Sequence, residues 1–149
     1  MKILIAAFFI VVGSCGAFAG QLPSDAAPLS PDEVAALYSG KTGLYGDSAT
    51  WFAPDKTIYG WYGKPPKGVY SGTWDVNANE FCSNSHAPDG SGAGRNCHKF
   101  WRVGKVLWSL WTVHFDNSPA NLGDYKTDEP KALKAGNWAE KIYRKLGGV

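Results

Sequence analysis

Apolar residues recur every three or four positions between Ser30 and Gly40, whereas from Thr42 onward they alternate with polar residues in short runs. The first spacing places Val34 and Tyr38 on one side of an α-helix. The alternating spacing is typical of strands that have one buried and one exposed face. The pattern therefore predicts one short N-terminal helix followed by a long stretch of β structure.

The start of this helix carries a capping signal. Ser30 can accept a hydrogen bond from the first turn, Pro31 suits the first helical position, and Glu33 completes an S-x-x-E capping box. Gly40 is a suitable end. So short a helix needs a packing partner. Because both faces of the predicted strand Lys105–Phe115 are apolar, we expect the helix to cover its outer face.

Seven strands are predicted after the helix, separated by the turn-forming residues Gly, Pro, Asp and Asn. Their predicted ranges are Thr42–Tyr45, Thr50–Ala53, Thr57–Tyr62, Gly68–Val76, Glu80–Ser83, Cys97–Val103 and Lys105–Phe115. No helices alternate with them, which disfavours a parallel sheet. We expect a mainly β fold, a small antiparallel meander closed or half-closed into a barrel, with a short N-terminal helix.

The C-terminal segment fits two structures. Trp138, Ile142 and Leu146 recur every four residues, and Asn137 with Glu140 could cap a helix. The same apolar residues also share one face of a strand, which could close the sheet. The residue pattern leaves a C-terminal helix and a closing strand as alternatives.

Composition limits the architecture and the class of partner. The chain has 149 residues, 44% of them hydrophobic and 19% charged, so it can fold as a single domain. Its formal net charge of +2 is too small to indicate a nucleic-acid-binding protein. We assign the domain to residues 29–149 and expect the polar residues 20–28 to be a flexible lead-in.

The first 19 residues have the pattern of a signal peptide. Lys2 precedes the apolar run Ile3–Val12, which is too short to span a bilayer, and Ala17 to Ala19 form an A-x-A cleavage site. Cleavage after Ala19 predicts a periplasmic or secreted protein whose mature chain has no transmembrane segment. The alternative is a lipobox ending at Cys15, whose lipidation would anchor the same domain to a membrane.

After export the domain would keep Cys82 and Cys97, and two thiols in an oxidising compartment predict one disulfide. The bridge would close a loop of about fifteen residues, worth about 3 kcal/mol in loop entropy. His86 and His98 lie near the two cysteines, but the spacing matches no common zinc signature. We therefore expect a disulfide and no metal or other cofactor.

The sequence offers little support for an enzyme. It has no G-x-S-x-G nucleophile elbow, and the Gly-rich stretch 90–95 lacks the spacing of a phosphate-binding loop. His114 shares a predicted strand face with Trp108, and beside Arg102 it could bind an anionic or haem-like ligand inside the barrel. The alternative is a histidine near a strand end whose ring is satisfied by backbone or water.

Aromatic residues are abundant, with seven Trp and seven Tyr, and most of them must form the core. Tyr59, Trp61 and Tyr62 are followed at once by a turn that carries Lys64 and Lys67. Such an aromatic and basic edge could contact a glycan, a lipid or a partner protein.

Several motifs follow one another in a recognisable order. They are the leader, Leu29–Val34, Trp51–Thr57 with a Phe-x-x-Asp turn, Ser71–Val76 with a G-x-W-x-V strand, the two cysteines, and Gly136-Asn137. In this order they resemble the exported proteobacterial proteins of domain-of-unknown-function family 995. The resemblance implies a Gram-negative envelope protein with a small β-rich fold and favours the closing strand. It carries over no catalytic residue and no ligand, and Lys56 stands where we would expect Gly.

These observations give two functional hypotheses. In the first, an exported, non-catalytic envelope protein binds a small apolar or amphiphilic ligand in its β-barrel. In the second, an interaction module docks on an envelope protein or on cell-wall glycan through the aromatic and basic edge. An internal cavity of several hundred Å³ would favour the first, and a filled interior with an exposed aromatic edge the second.

Overall fold

The computed structural model describes residues 20–116 and 123–149. The predicted signal peptide and the alternative lipidation site at Cys15 lie outside these residues. The elements are β1 (Ala27–Pro28), α1 (Pro31–Tyr38), β2 (Lys41–Leu44), β3 (Ser48–Phe52), β4 (Thr57–Tyr62), β5 (Gly68–Asn77), β6 (Glu80–His86), β7 (Gly94–Val103), β8 (Val106–Val113), α2 (Glu129–Ala132), β9 (Leu133–Ala135) and α3 (Glu140–Lys145).

The strands form one antiparallel sheet that curls into a half-barrel. Neighbouring strands follow the order β1-β7-β6-β5-β4-β3-β2-β9, and β8 pairs with β7. From β2 to β8 each strand pairs with the next one in the chain. The predicted mainly β, half-closed antiparallel meander is therefore confirmed.

Helix α1 begins where the capping box predicts. The Ser30 side chain accepts a hydrogen bond from the Glu33 N–H at 3.3 Å, and a Glu33 carboxylate oxygen accepts one from the Ser30 N–H at 2.9 Å. The helix packs on β5, β6 and β2, inside the curl of the sheet. The expectation that it covers an outer face of β8 is wrong, because the apolar side of the helix, Val34 and Tyr38, packs into the aromatic core on the concave side.

The side of the sheet on which α1 packs is called the inner face. Its core is an aromatic cluster around Tyr38, whose ring stacks on Phe81 with centroids 3.6 Å apart. Phe52 meets the Tyr38 ring edge-on at 4.9 Å, and Trp74 lies 5.8 Å from Phe81. All four side chains are at most 3% exposed. This end of the inner face is therefore closed by interlocking rings.

Of the two alternatives for the segment from Trp138 to Leu146, the structure has the helix, and the strand that extends the sheet lies upstream of these residues. Leu133–Ala135 pairs with β2 as a short strand, and α3 then lies on the opposite, outer face of the sheet. The Asn137 side chain accepts a hydrogen bond from the Glu140 N–H at 3.2 Å, as the capping pattern predicted. Tyr143 packs on Tyr59 with ring centroids 4.5 Å apart. The segment thus extends one edge and covers the outside.

Two local findings refine the sequence picture. Lys56 has a φ of 72°, a left-handed conformation that favours glycine, which explains why glycine is the expected residue there. Its ammonium group lies 3.5 Å from the centroid of the Trp74 ring, a cation–π contact that offsets part of the backbone strain. In the lead-in, Ala27 and Pro28 pair with Arg102 and Trp101 of β7.

Candidate functional site

Cys82 and Cys97 form the predicted disulfide. They are directly opposite each other on β6 and β7, with their Cα atoms 4.2 Å apart. Both are buried on the outer face, and the Arg95 side chain donates a hydrogen bond to the Cys97 sulfur at 3.2 Å. The Glu80 carboxylate lies within 4.8 Å of both sulfurs. Because these sulfurs are bonded to each other, they offer no thiolate pair for a metal ion.

A polar cluster lies on the inner face beyond the aromatic core. Its centre is Glu129 in α2, one of whose carboxylate oxygens accepts hydrogen bonds from the hydroxyls of Tyr38 and Tyr45, both at 2.9 Å. Tyr38 is the last residue of α1 and Tyr45 follows β2 directly. The cluster therefore joins three elements that are far apart in the chain.

Both tyrosines of this cluster are hydrogen-bond donors. Burial raises the pKa of the Tyr38 and Tyr45 hydroxyls, and the negative charge of Glu129 raises it further. Although the Tyr45 ring is 38% exposed, its hydroxyl end is buried against Glu129. At neutral pH these phenols hold their protons, so they bind the carboxylate and are poor proton acceptors.

We include Asn96 and His98 of β7 in the polar cluster because they share its face of the sheet and the charge of Glu129 acts on His98. Their strand register places them opposite Ser83 and Phe81, on the inner face. The Asn96 Oδ1 and His98 Nδ1 atoms are buried and have no hydrogen-bond partner within the described part of the chain. Burial lowers the pKa of His98, which outweighs the opposite effect of the Glu129 charge. His98 is therefore uncharged at neutral pH.

An aromatic side chain borders the cluster on β8. The Trp111 ring lies 5.0 Å from His98 and 4.6 Å from His114, and Trp111 is 40% exposed. His98 and Trp111 are directly opposite on β7 and β8. An accessible indole thus lies beside buried polar atoms.

The structure separates the residues of the predicted aromatic and basic edge. Tyr59 and Trp61 lie on the outer face, where Tyr59 contacts α3 and accepts a hydrogen bond from the Asn137 amide. Tyr62 lies on the inner face and is 49% exposed. Lys64 and Lys67 are exposed in the following turn. Only Tyr62 and the two lysines thus remain as a possible contact surface.

Arg102 and His114 are not brought together. Arg102 is opposite Leu107 and forms an ion pair with Glu33 at 3.1 Å, at the α1 end of the molecule. His114 follows the other end of β8, so about seven residues of extended chain, roughly 23 Å, separate it from Leu107. His114 lies near the polar cluster through its contact with Trp111.

Two shallow depressions lie mainly on the outer face. Their volumes are about 390 Å³ and 470 Å³, and both are open to solvent. They share Gly72, Thr73 and His86, and they extend from Arg95 to Tyr143. Neither is an enclosed cavity inside the half-barrel, so neither is the internal cavity that would favour a ligand within the barrel.

Sequence reasoning missed most of the polar cluster. Glu129 lies in a polar stretch without periodicity, and its partners Tyr38 and Tyr45 are 91 and 84 positions away in the chain. Asn96 was part of a predicted loop between the cysteines. The one available signal was His98, which neighbours Cys97 and therefore lies on the face opposite the disulfide.

The comparisons with known proteins give one family match. The sequence model of the family described as protein of unknown function (DUF995) matches residues 6–137. No curated protein and no solved structure matches the chain. Within residues 20–116 and 123–149, no helix is long and apolar enough to cross a membrane.

Proposed function

The chain belongs to the DUF995 family of proteins of unknown function, and we propose that its half-barrel is a non-catalytic binding module for a small amphiphilic ligand. The ligand's polar head would lie on the polar cluster formed by Tyr38, Tyr45, Asn96, His98 and Glu129. Its apolar part would lie along the exposed indole of Trp111. Entry would be from the side of the half-barrel next to β8.

The observation that carries the proposal is the pair of unpartnered polar atoms, Asn96 Oδ1 and His98 Nδ1. A buried polar atom without a hydrogen bond costs about 1–3 kcal/mol, and native proteins contain few of them. Two such atoms on neighbouring inner-face positions of β7 therefore favour a ligand that supplies the missing hydrogen bonds. A head group with several N–H or O–H donors would meet this need.

Charge favours a cationic head group. Glu129 is negative, Asp128 lies beside it in the chain, and His98 is uncharged at neutral pH because burial lowers its pKa. An ammonium group near Glu129 would be attracted by the carboxylate and by the faces of the neighbouring aromatic rings. An anionic head group would be repelled by the same carboxylate.

We also propose that the chain acts after export. The Cys82–Cys97 disulfide supports this, because such bonds persist in oxidising compartments. The intact mass of the protein recovered from the host envelope tests it. Cleavage after Ala19 with one disulfide is expected, whereas cleavage before an acylated Cys15 would indicate the lipoprotein alternative. A full-length cytoplasmic chain with free thiols would contradict export.

The binding proposal is tested with three amphiphiles that share a dodecyl tail, namely dodecylamine, laurate and dodecyl maltoside, each below its micelle concentration. The purified, oxidised protein is titrated by calorimetry and by Trp fluorescence. We expect the amine to bind about tenfold more tightly than laurate. Glu129→Gln should remove this preference, while Asp32→Asn, an exposed carboxylate at the start of α1, should leave it unchanged.

Two results would contradict the proposal. One is no saturable binding of any of the three compounds. The other is binding that responds equally to Glu129→Gln and Asp32→Asn, because the attraction would then come from the general charge of the protein and not from the polar cluster.

A further inference from the structure

Three tyrosine rings lie flat against three glycines on the inner face. In two pairs the glycine and tyrosine are directly opposite on neighbouring strands, and in the third they are two residues apart on one segment. The pairs are Gly60 with Tyr70, Gly68 with Tyr62, and Gly43 with Tyr45.

At Gly43 and Gly68 the rings, and not the backbone, require glycine. A Cβ atom on Gly68 would lie 2.5 Å from the Tyr62 hydroxyl oxygen, and one on Gly43 would lie 2.5 Å from that of Tyr45. On Gly60 it would lie 2.6 Å from the Tyr70 hydroxyl oxygen and closer still to the Ala49 carbonyl oxygen, so the backbone also requires glycine there. None of the three has the left-handed φ that needs glycine, so at Gly43 and Gly68 another residue would fit the strand but would lift the ring.

The three rings of Tyr45, Tyr62 and Tyr70 therefore lie along the inner face of the sheet. We call this set of rings the tyrosine platform. Tyr62 is 49% exposed and Tyr45 is 38% exposed. Because each ring rests on backbone, its exposed area includes a broad ring face. The Tyr70 hydroxyl is fixed by a hydrogen bond of 2.6 Å with the Thr50 side chain.

Polar groups surround the platform. Ser48 is directly opposite Tyr62 and accepts, through its carbonyl, a hydrogen bond from the Tyr45 N–H at 3.0 Å. The two turns at this end are joined by the Gly63 N–H, which donates to the Asp47 carbonyl at 2.7 Å. The second turn carries Lys64 and Lys67 beside Tyr62, and the carboxylates nearest the platform are those of Asp47 and of Glu129, which accepts a hydrogen bond from the Tyr45 hydroxyl.

We propose that the tyrosine platform binds a glycan chain whose sugars carry carboxylate groups. The C–H bonds on one face of a pyranose ring are polarised toward positive hydrogen and are attracted by the negative face of an aromatic ring. Hydroxyl groups at the ring edge can bond to the Ser48 side chain. Lys64 and Lys67 then pair with the sugar carboxylates.

The flat orientation of the rings distinguishes this ligand from a lipid surface. Aromatic side chains that anchor a protein at a membrane project into the interface, whereas these rings lie along the sheet. Several flat ring faces on the concave side of the sheet can each pack on one sugar ring of an oligosaccharide. The basic turn beside Tyr62 gives the binding its charge preference.

This inference does not depend on the amphiphile proposal. Tyr62, Gly68 and the two lysines are not part of the polar cluster, and only Tyr45 contributes to both sites. Variants of Tyr62 and Gly68 therefore test the platform alone, whereas Glu129→Gln alters the cluster and also removes the carboxylate that holds the Tyr45 hydroxyl.

The test is calorimetric titration of the full chain with two soluble oligosaccharides, hexagalacturonate as the acidic probe and cellohexaose as the neutral one. We expect hexagalacturonate to bind more tightly and its affinity to fall with added salt. Tyr62→Ala should reduce its affinity about tenfold. Gly68→Ala keeps the phenol but lifts it from the strand, and should reduce the affinity to a similar degree.

Trp138→Ala is the matched control, because this indole is 65% exposed but belongs to the segment that packs on the outer face. It should leave the affinity unchanged, and circular dichroism confirms that each variant is folded. The proposal is overturned if neither oligosaccharide binds, or if Trp138→Ala weakens binding as much as Tyr62→Ala. It is equally overturned if Tyr62→Ala instead abolishes binding to vesicles of anionic phosphatidylglycerol while the sugars do not bind.

Discussion

The two ends of the inner face are built from the same sheet but in opposite ways. At the α1 end, Tyr38, Phe81 and Phe52 interlock and are at most 3% exposed. At the other end, glycines replace large side chains and tyrosine rings lie flat, with Tyr45 and Tyr62 partly exposed. The side chains at the α1 end are buried against one another, whereas the other end presents partly exposed ring faces that a ligand would cover.

The comparison explains how a small half-barrel can be stable and still carry the proposed binding site. Apolar contacts at the α1 end supply the free energy of folding, since buried aromatic area is the largest favourable contribution. That surplus tolerates unsatisfied polar atoms and glycine-rich strands elsewhere. Substitutions at the first end should therefore reduce stability, and those at the second end should mainly alter binding.

The largest expected effect is on the aromatic core. Phe81→Ala would remove the ring that stacks on Tyr38 and leave a cavity under α1, so the free energy of unfolding should fall by about 3–5 kcal/mol. Urea unfolding monitored by Trp fluorescence measures it. Tyr62→Ala, at the exposed end, should change stability by less than about 1 kcal/mol. Equal losses would show that the two ends do not differ in this way.

The disulfide should give the next largest effect. It joins residues separated by 15 positions, so the double substitution Cys82→Ser with Cys97→Ser should cost about 3 kcal/mol. Because the bridge lies behind β6 and β7, hydrogen exchange should increase most around Asn96 and His98, and least in α1. Uniformly faster exchange in both regions would contradict this.

His98 should make stability depend on pH. Burial lowers its pKa below the value of 6.5 typical of an unfolded chain, outweighing the opposite effects of Glu129, Asp128 and Glu80 and acting together with His114. The unfolded state therefore binds a proton more readily, and stability should fall as pH drops below about 6.5, by at most about 1.4 kcal/mol per pH unit. Unfolding curves at pH 7.5, 6.5 and 5.5 should show this slope, and His98→Gln should reduce it.

The smallest predicted change concerns the helix cap. Ser30→Ala removes the hydrogen bond to the Glu33 N–H and should cost about 1 kcal/mol without changing ligand affinity. Thermal unfolding with parallel titrations would measure both quantities. A loss of affinity would indicate that a shift of α1 displaces Tyr38 and thereby alters the polar cluster.

Local signals predicted much of the fold because each depends on neighbouring residues. The range of β4 is as predicted, the Ser30 capping box is formed, and the cysteines are paired. Strands β6 and β7 are longer than predicted, because pairing between Asn84 and Arg95 continues into a segment whose composition favours a loop. Tertiary pairing here overrides local propensity.

The candidate sites were harder to predict because they depend on curvature and on distant contacts. The sequence pattern showed that Tyr59, Trp61 and Tyr62 are close in the chain, but strand alternation sends Tyr62 to the opposite face. The inside position of α1 and its link from Tyr38 to Glu129 follow from how far the sheet curls. No local pattern encodes that curl.

The position of the sulfur bridge has a consequence for the accuracy of assembly. Since Cys82 and Cys97 face each other across one rung of the ladder, their bond is incompatible with sliding β7 along β6 by a single residue. Such a slip would turn His98 to the outer face of the sheet, away from the polar cluster. Formation of the disulfide therefore fixes the register of the β6–β7 hairpin.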